Sequence, residues 1–362
     1  MKTPKPPENF NVDGLCQDGM KAMRIAFREA FKFIDYYPEE AFAEVTKDGK
    51  KALFVDNLAE AQFKVALGDR CTFITAHGEE SLGRKVPDDQ SLDLRAIEGI
   101  YALADIVDGT DLLERGLSNW CSACCFFQPT APPGSRIIAS FVRLTSGEIY
   151  YSTSMMADVL CQPSEKRPSL TVAGPSTITE LINASVSFYG QKAANLNSIF
   201  KENSPELAAQ ESLLEYVIRI DSEREKRRKE KEENGELITE ADEPIPFRIY
   251  TLAGIPMIVK LIDHRIKNAK NIDVVFDLRG QQPHDVVPGA YLAIKAKATM
   301  RKLWVDSDTK EGKYADMTLE DLEQSLMRPA ASSSKLSYVI ASTKELADEI
   351  TPLLLPLLLV SR

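Results

Sequence analysis

Ile100-Tyr-Ala-Leu-Ala-Asp105-Ile-Val-Asp108-Gly109-Thr110 is an apolar run of strand-like length that ends in two aspartates, with Gly-Thr directly after them. Two carboxylates at the end of a buried strand are costly unless a cation compensates them. Glycine at the next position lets the backbone turn tightly and point its N–H groups outward. Carboxylates beside backbone donors suit a hard divalent cation held next to a phosphate.

The chain of 362 residues is long enough for one large or two medium domains with a substantial core. Its net charge of −10 argues against a nucleic-acid binder, which normally carries a basic stripe. Six cysteines scattered over this length are not a disulfide framework, and a reduced, cytoplasmic setting is expected. The N-terminus, MKTPKPPENFNVDG, has no apolar signal core. The tail ITPLLLPLLLVSR is apolar but far shorter than the roughly 20 residues a bilayer span needs, so no membrane partner is expected and the tail reads as a packing or dimer segment.

Helical spacing predicts helices over 17–36 and 52–68, the second with Leu53, Phe54, Leu58, Ala61, Phe63 and Val65 on its apolar side. Strand-like runs follow at 71–76, 100–107, 120–127, 136–144 and 148–152, separated late by turn signals such as PTAPPGS and TSGE. This is an α+β first half, assigned to residues 1–165, with antiparallel-looking strands. Residues 166–362 read as an α/β domain. It opens with a strand at 169–174 and a helix capped by Ser176, with Glu180 in its first turn. It continues with a helix over about 190–220, a helix near 255–269, a strand at 272–278, a helix over about 286–298, a strand at 336–342 and a final helix. The mixed-sign run SEREKRRKEKEENGE, within an insertion near 200–245, reads as a solvated helix extension or a mobile insertion.

Four islands place acids near glycine or a helix start: Asp56 with Glu60, His77-Gly78-Glu79-Glu80-Ser81, Asp105 to Thr110, and Gln282-Pro283-His284-Asp285. Taken singly they are weak; their order is informative. GEES at 78–81 resembles the first acidic motif of the inositol monophosphatase family, part of the magnesium-dependent, lithium-sensitive phosphatase superfamily that includes fructose-1,6-bisphosphatase. DIVDGT at 105–110 resembles the D-P-x-D-G-T signature, HDVVPGA at 284–290 the W-D-x-A-x-G motif, and Val55-Asp56 with Glu60 the upstream T-D-x-x-x-E element. FRIYTLAGIPMIVKL with IDVVFDL is similar to the family's R-x-x-G-S-A-A helix and following strand, and YVIASTKELADEI to its closing strand and helix. The likeness spans about residues 20–350.

The resemblance implies the layered αβαβα sandwich, two or three Mg²⁺ ions, and hydrolysis of a phosphate monoester by metal-activated water. It implies that Glu79, Asp105 and the Val107 carbonyl hold one ion, and Asp105, Asp108 and Asp285 a second. It implies that Asp56 and Thr110 position the water, that Gly109 and Thr110 offer N–H groups to phosphate, and that Glu79 serves the catalytic set. Oxygen-only ligands suit Mg²⁺, which keeps waters and uses substrate phosphate. The implied partner is a small phosphorylated metabolite, with lithium sensitivity and a homodimer as family expectations.

Ile106 replaces the signature's proline, which supplies no ligand, so metal binding is expected to persist. His284 replaces the usual tryptophan, Asp111-Leu112-Leu113-Glu114-Arg115 replaces the usual run after Gly-Thr, and Ala253-Gly254 stands where Gly-Ser is common. These changes concern the leaving group. An inositol or sugar monophosphate is the first substrate reading. A sugar bisphosphate or a 3'-phosphoadenosine 5'-phosphate-like substrate is the second, favoured if basic residues such as Arg115, Arg248, Lys260 or Arg265 reach the pocket. A silent ligand-binding relative is the third. His77 and His284 flank ligand positions and read first as hydrogen-bonding neighbours. Cys121, Cys124 and Cys125 lack a second Cys/His pair for zinc and read as buried hydrophobes.

Overall fold

The run at 100–108 is a strand covered on both faces. In the computed structural model, which describes residues 10–47, 50–82, 92–95, 98–188, 211–252, 254–263 and 272–360, Ile100, Ala102 and Ala104 enter one hydrophobic cluster, while Tyr101 and Leu103 enter another. A strand with no solvent face loses the alternation of a half-buried one and reads as continuous apolar sequence.

This strand is β4 (Ile100–Asp108). Before it come α1 (Val12–Tyr36), α2 (Pro38–Ala41), the hairpin of β1 (Glu44–Lys47) and β2 (Lys50–Leu53), α3 (Phe54–Gly68), β3 (Ile74–Gly78) and α4 (Glu79–Leu82). After it come α5 (Thr110–Glu114), β5 (Cys121–Phe127), β6 (Ile137–Leu144), β7 (Ile149–Thr153), β8 (Leu160–Gln162) and β9 (Leu170–Thr171). Strands β3 to β9 form a seven-stranded sheet in sequence order, with β3 parallel to β4 and the other neighbours antiparallel. Helices α1 and α3 pack on each other over its outer face.

The second sheet has the order β11-β10-β12-β15-β13-β14. Its strands are β10 (Ser185–Phe188), β11 (Arg248–Tyr250), β12 (Val274–Gln281), β13 (Thr299–Val305), β14 (Gly312–Asp316) and β15 (Leu336–Ala341). Strand β10 pairs parallel with β11 and β12; the remaining pairs are antiparallel. Between the sheets lie α7 (Ile255–Leu261), α8 (Pro283–Lys295) and α9 (Leu319–Leu326), and α8 touches strands of both sheets. The far face carries α6 (Leu213–Asn234) and α10 (Lys344–Val360), which pack on each other. The layers therefore run αβαβα, as expected. No helix among the described residues is long and apolar enough to cross a membrane.

Several local expectations change. Val65 is exposed, because Val55, Ala59, Phe63 and Ala66-Leu67 form the buried stripe of α3 and position 65 lies across the helix. The expected helix after Ser176 is only a 3-10 turn at Leu181–Asn183. The Ser176 hydroxyl instead donates to Asp273 Oδ1 (2.5 Å), and the same carboxylate takes the Ser185 N–H (2.7 Å). The seven-stranded sheet runs to Thr171, past the expected boundary at 165. The mixed-sign run is the exposed length of α6, begun by a capping box of Ser212 and Glu215; residues 189–210, where a helix was also expected, lie outside the described set. The apolar tail extends α10 and buries Leu354, Leu357 and Leu358.

Helix α1 approaches the sheet through Gly19, where an added Cβ would lie 2.6 Å from the Phe126 ring and 2.7 Å from the Phe141 ring, both fully buried. Overpacking costs about 1–3 kcal/mol, against a helix-propensity gain for alanine of roughly 1 kcal/mol. Gly19→Ala should therefore lower the urea midpoint without changing the m-value; a midpoint at or above wild type would show that the two rings yield.

Candidate active site

The end of β4 carries a bulge. Asp105 pairs with Ala123, and Asp108 pairs with Cys121, so three steps on β4 match two on β5. In a regular strand residues three apart point to opposite faces. The extra residue restores the parity: Ile106 and Val107 both pack outward against the α1–α3 side, and Asp105 and Asp108 line one cleft on the other. The Ser122 hydroxyl donates to the Ile106 carbonyl (2.6 Å), and the Val107 N–H to Asp105 Oδ1 (3.0 Å). Gly109 then turns with φ 96°, and its Cα lies against Trp120, whose Cβ would be 3.0 Å from an added Cβ.

Glu79 comes from the neighbouring strand end. The Gly78-Glu79-Glu80 turn is buttressed by buried Glu60, which accepts the Glu80 N–H (2.9 Å) and pairs with Lys64. A Cβ at Gly78 would sit 2.3 Å from the Glu60 carboxyl, so glycine there is a matter of space. Burial pushes the Glu60 carboxyl up, but Lys64, Ser81 and the Glu80 N–H together hold it below its ordinary range. Thr110 Oγ1 lies 2.9 Å from Asp56 Oδ1 and 3.0 Å from the Val107 carbonyl oxygen; its single proton serves one acceptor at a time.

Asp285 arrives from the central layer. Helix α8 starts at Pro283, earlier than expected, which puts Asp285 in its first turn. Buried His284 Nε2 is 3.0 Å from Asp285 Oδ1. Gly254, at φ 91°, lets the start of α7 approach Asp108: an added Cβ would lie 3.4 Å from Asp108 Oδ2, and the Ile255 N–H donates to that side chain.

Glu79, Asp105, Val107, Asp108, Gly109, Thr110 and Asp285 line a single open cleft of about 450 Å³, and Asp56 reaches it through Thr110. Burial raises Asp105 well above the carboxylate range, and the charges of Glu79, Asp108, Asp285 and Asp56 raise it further. Asp108 is raised to about 7 by burial and by Asp285 and Glu79. Asp56 is raised to about 7, chiefly by burial, with Thr110 opposing and Glu79 and Glu80 adding. Among the described residues no three His, Cys, Asp or Glu side chains close into a ready cage. The donors are an oxygen-only set around an open cleft, which fits Mg²⁺, since that ion completes its shell with water and substrate oxygens.

Of the other expected residues, His77 lies beside Tyr101, with ring centroids 6.1 Å apart, and burial lowers its pKa. Arg115 is exposed and donates to the Asp111 carbonyl (2.5 Å), Arg248 is exposed, and Lys260 lines a different cavity beside Asp263. Arg265 and Ala253 lie outside the described residues. The cations that line the acidic cleft are instead Arg279 and Lys335, which sequence reasoning missed. Arg279 pairs with buried Asp277 (2.9 Å). Its place just after the apolar run of β12, like Asp108 after β4, was a usable signal; Lys335 carries none. Cys121, Cys124 and Cys125 are buried in β5, and Cys121 Sγ lies 3.6 Å from Asp108 Oδ2.

No protein-family model matches the chain, and no curated protein sequence matches it. Solved structures do. Inositol monophosphatase II of Staphylococcus aureus aligns at 12% identity over 92% of this chain and 91% of its own, with a TM-score of 0.51. A hypothetical protein of Pyrococcus horikoshii with similarities to inositol-1 monophosphatase aligns at 15% identity over 91% and 96%, with a TM-score of 0.50. A calcium-bound inositol monophosphatase family protein of S. aureus aligns at 14% identity over 90% and 91%, also at 0.50. The chain therefore has the fold of the inositol monophosphatase structures.

The raised carboxylates predict how pH acts on the metal-free protein. Folded Asp56 and Asp108 hold protons up to about pH 7, whereas unfolded aspartates release them near the ordinary value of about 4. Their stabilising contribution is present below pH ~4 and is lost as pH rises towards 7. In chelator-treated protein, Asp108→Asn should flatten the fall in urea midpoint between pH 5 and pH 8, and added Mg²⁺ should raise the wild-type midpoint most at the upper end. Parallel pH curves for wild type and variant would remove the electrostatic account.

Proposed function

We propose that the chain is a Mg²⁺-dependent phosphatase that hydrolyses a small phosphate monoester by in-line attack of water. The observation that carries this reading is the convergence of Glu79, Asp105, the Val107 carbonyl, Asp108 and Asp285 on one cleft from three separate segments. These five would hold the cations. The calcium-bound relative with the same fold supports a divalent-metal reading. Bound cations polarise phosphoryl oxygens and acidify a water.

The remaining work belongs to this chain's side chains. Thr110 Oγ1 and Asp56 Oδ1, 2.9 Å apart, form a pair that can orient a water and receive its proton at Asp56. Burial raises Asp56 above the ordinary carboxylate range, which favours proton acceptance there. Gly109 and Thr110, at the left-handed turn, offer backbone N–H groups to phosphate oxygens. His284 Nε2, 3.0 Å from Asp285 Oδ1, would support that carboxylate electrostatically when protonated.

A second reading, a bisphosphate substrate, is favoured by Arg279 and Lys335 in the cleft lining, where they could meet a second phosphate. Phosphate release from a panel of inositol, sugar and nucleotide mono- and bisphosphates, with and without Mg²⁺, separates these readings. Metal-dependent release is expected, with Arg279→Gln raising KM selectively for a bisphosphate. Absence of turnover on every member with every divalent ion would leave a ligand-binding relative.

Asp105→Asn should nearly abolish turnover with the fold retained, and Asp56→Asn should lower kcat by about 10²-fold or more with a smaller change in KM. Wild-type rates in Asp105→Asn would refute the metal assignment.

A further inference from the structure

The outer face of the seven-stranded sheet carries a second concavity of about 570 Å³, between α1, the turn after β6 and the segment after β8. It shares no lining residue with the acidic cleft. Five of its twelve lining residues are cationic (Lys21, Arg24, Arg28, Arg70 and Arg143), and the one acid is Glu165. In a chain of net charge −10 this is a concentrated reversal of sign.

Two of these cations are set into the fold. Arg143, on β6, holds its guanidinium 3.2 Å from the centroid of the Phe27 ring. Its one hydrogen bond is a long one from Nη1 to the Leu144 carbonyl (3.4 Å), and no carboxylate among the described residues pairs with it. Arg24 is held by Gln162 Oε1 (2.5 Å) and meets Glu165 at 3.4 Å, a partner whose side chain is 69% exposed. Burial and mutual repulsion disfavour the charge on Arg143: its pKa falls to about 10, first by desolvation and then by Arg24, with Glu165 opposing. Burial also lowers Arg24. Around them, Lys21 and Arg70 share Asp18 at 3.7 and 3.6 Å, and Arg28 pairs with Glu29 at 3.0 Å. The lining therefore holds five positive charges against one negative, and the neighbouring acids Asp18, Glu29 and Glu148 only partly offset them.

Two half-buried, mutually repelling guanidiniums with only the exposed Glu165 carboxylate against one of them are a net cost to folding. A bound anion would remove that cost by neutralising both at once, and forked guanidinium donors match phosphate oxygens bidentately. Ser164 adds a hydroxyl to the lining, the Ser146 hydroxyl donates to Glu148 (3.1 Å), and Ile25 and Pro163 add an apolar wall. We propose that this cleft is a binding site for a small, multiply charged phosphate compound, held chiefly by Arg24 and Arg143 and independent of the acidic cleft.

Inorganic pyrophosphate is the probe, titrated calorimetrically into the full chain in the presence of a chelator, so that no metal carries it into the acidic cleft. One saturable site per chain is expected. Arg24→Gln/Arg143→Gln should weaken it at least tenfold, and Asp105→Asn should leave it unchanged. Lys21→Ala/Arg70→Ala, which alters only exposed side chains, should weaken it several-fold and serves if the buried pair proves necessary for folding. Lack of saturable binding, equal affinity in both double variants, or a loss in Asp105→Asn as large as in the arginine variant would overturn the proposal.

Discussion

The parity of β4 governs the acidic cleft. Asp105 and Asp108 can share one face only because the strand takes an extra residue between them, with Ile106 and Val107 both turned into the apolar layer under α1 and α3. Removing the bulge would send one carboxylate into that layer, where burying a charge is prohibitive. The Ser122 hydroxyl on Ile106 and the Trp120 side chain against Gly109 fix the bulge from β5 and from the turn. Contacts from neighbouring segments thus stiffen the end of the strand.

The αβαβα layering brings the remaining donors to the same place. Strands β4 and β12 both end at the cleft, and α8 begins there, so segments distant in sequence deliver Asp105, Asp108, Arg279 and Asp285 within one lining. The close approach depends on small residues: Gly78 against Glu60 leaves no room for a side chain, and Gly254 beside Asp108 takes a left-handed φ of 91°. Aromatic stacking of Phe27 and Phe31 on Trp120, at 5.2 and 5.4 Å, ties helix α1 to the turn at Gly109 and also seats Arg143.

Much of this was legible in the sequence where local chemistry and periodicity agree. The apolar run into paired aspartates marked β4 and its end, and α1, α3, β12 and α8 appeared within a few residues of their places. What stayed hidden was set by tertiary contact. Ser176 looks like a helix cap until Asp273, nearly a hundred positions on, takes its hydroxyl. Strands β13 and β14 and helix α9 gave no pattern that was read, and Lys335 reaches the cleft from a loop whose sequence announces nothing. The bulge itself is invisible in the letters, since Asp-Ile-Val-Asp reads equally well as regular strand. The basic cavity is likewise dispersed, with residues from 21 to 165 meeting only in the fold.

The acidic lining also bears on how an anion approaches. Above the raised range of Asp105 and Asp108, a phosphorylated compound drifting toward the metal-free cleft meets ionised Glu79, Asp105, Asp108 and Asp285, against two cations, one of them already paired with Asp277. Low-dielectric walls focus that field and repel anions from the mouth. On the proposed reading, cations held by Glu79, Asp105, Asp108 and Asp285 would offset that field, so that association of an anionic substrate would grow stronger with occupancy of the metal positions.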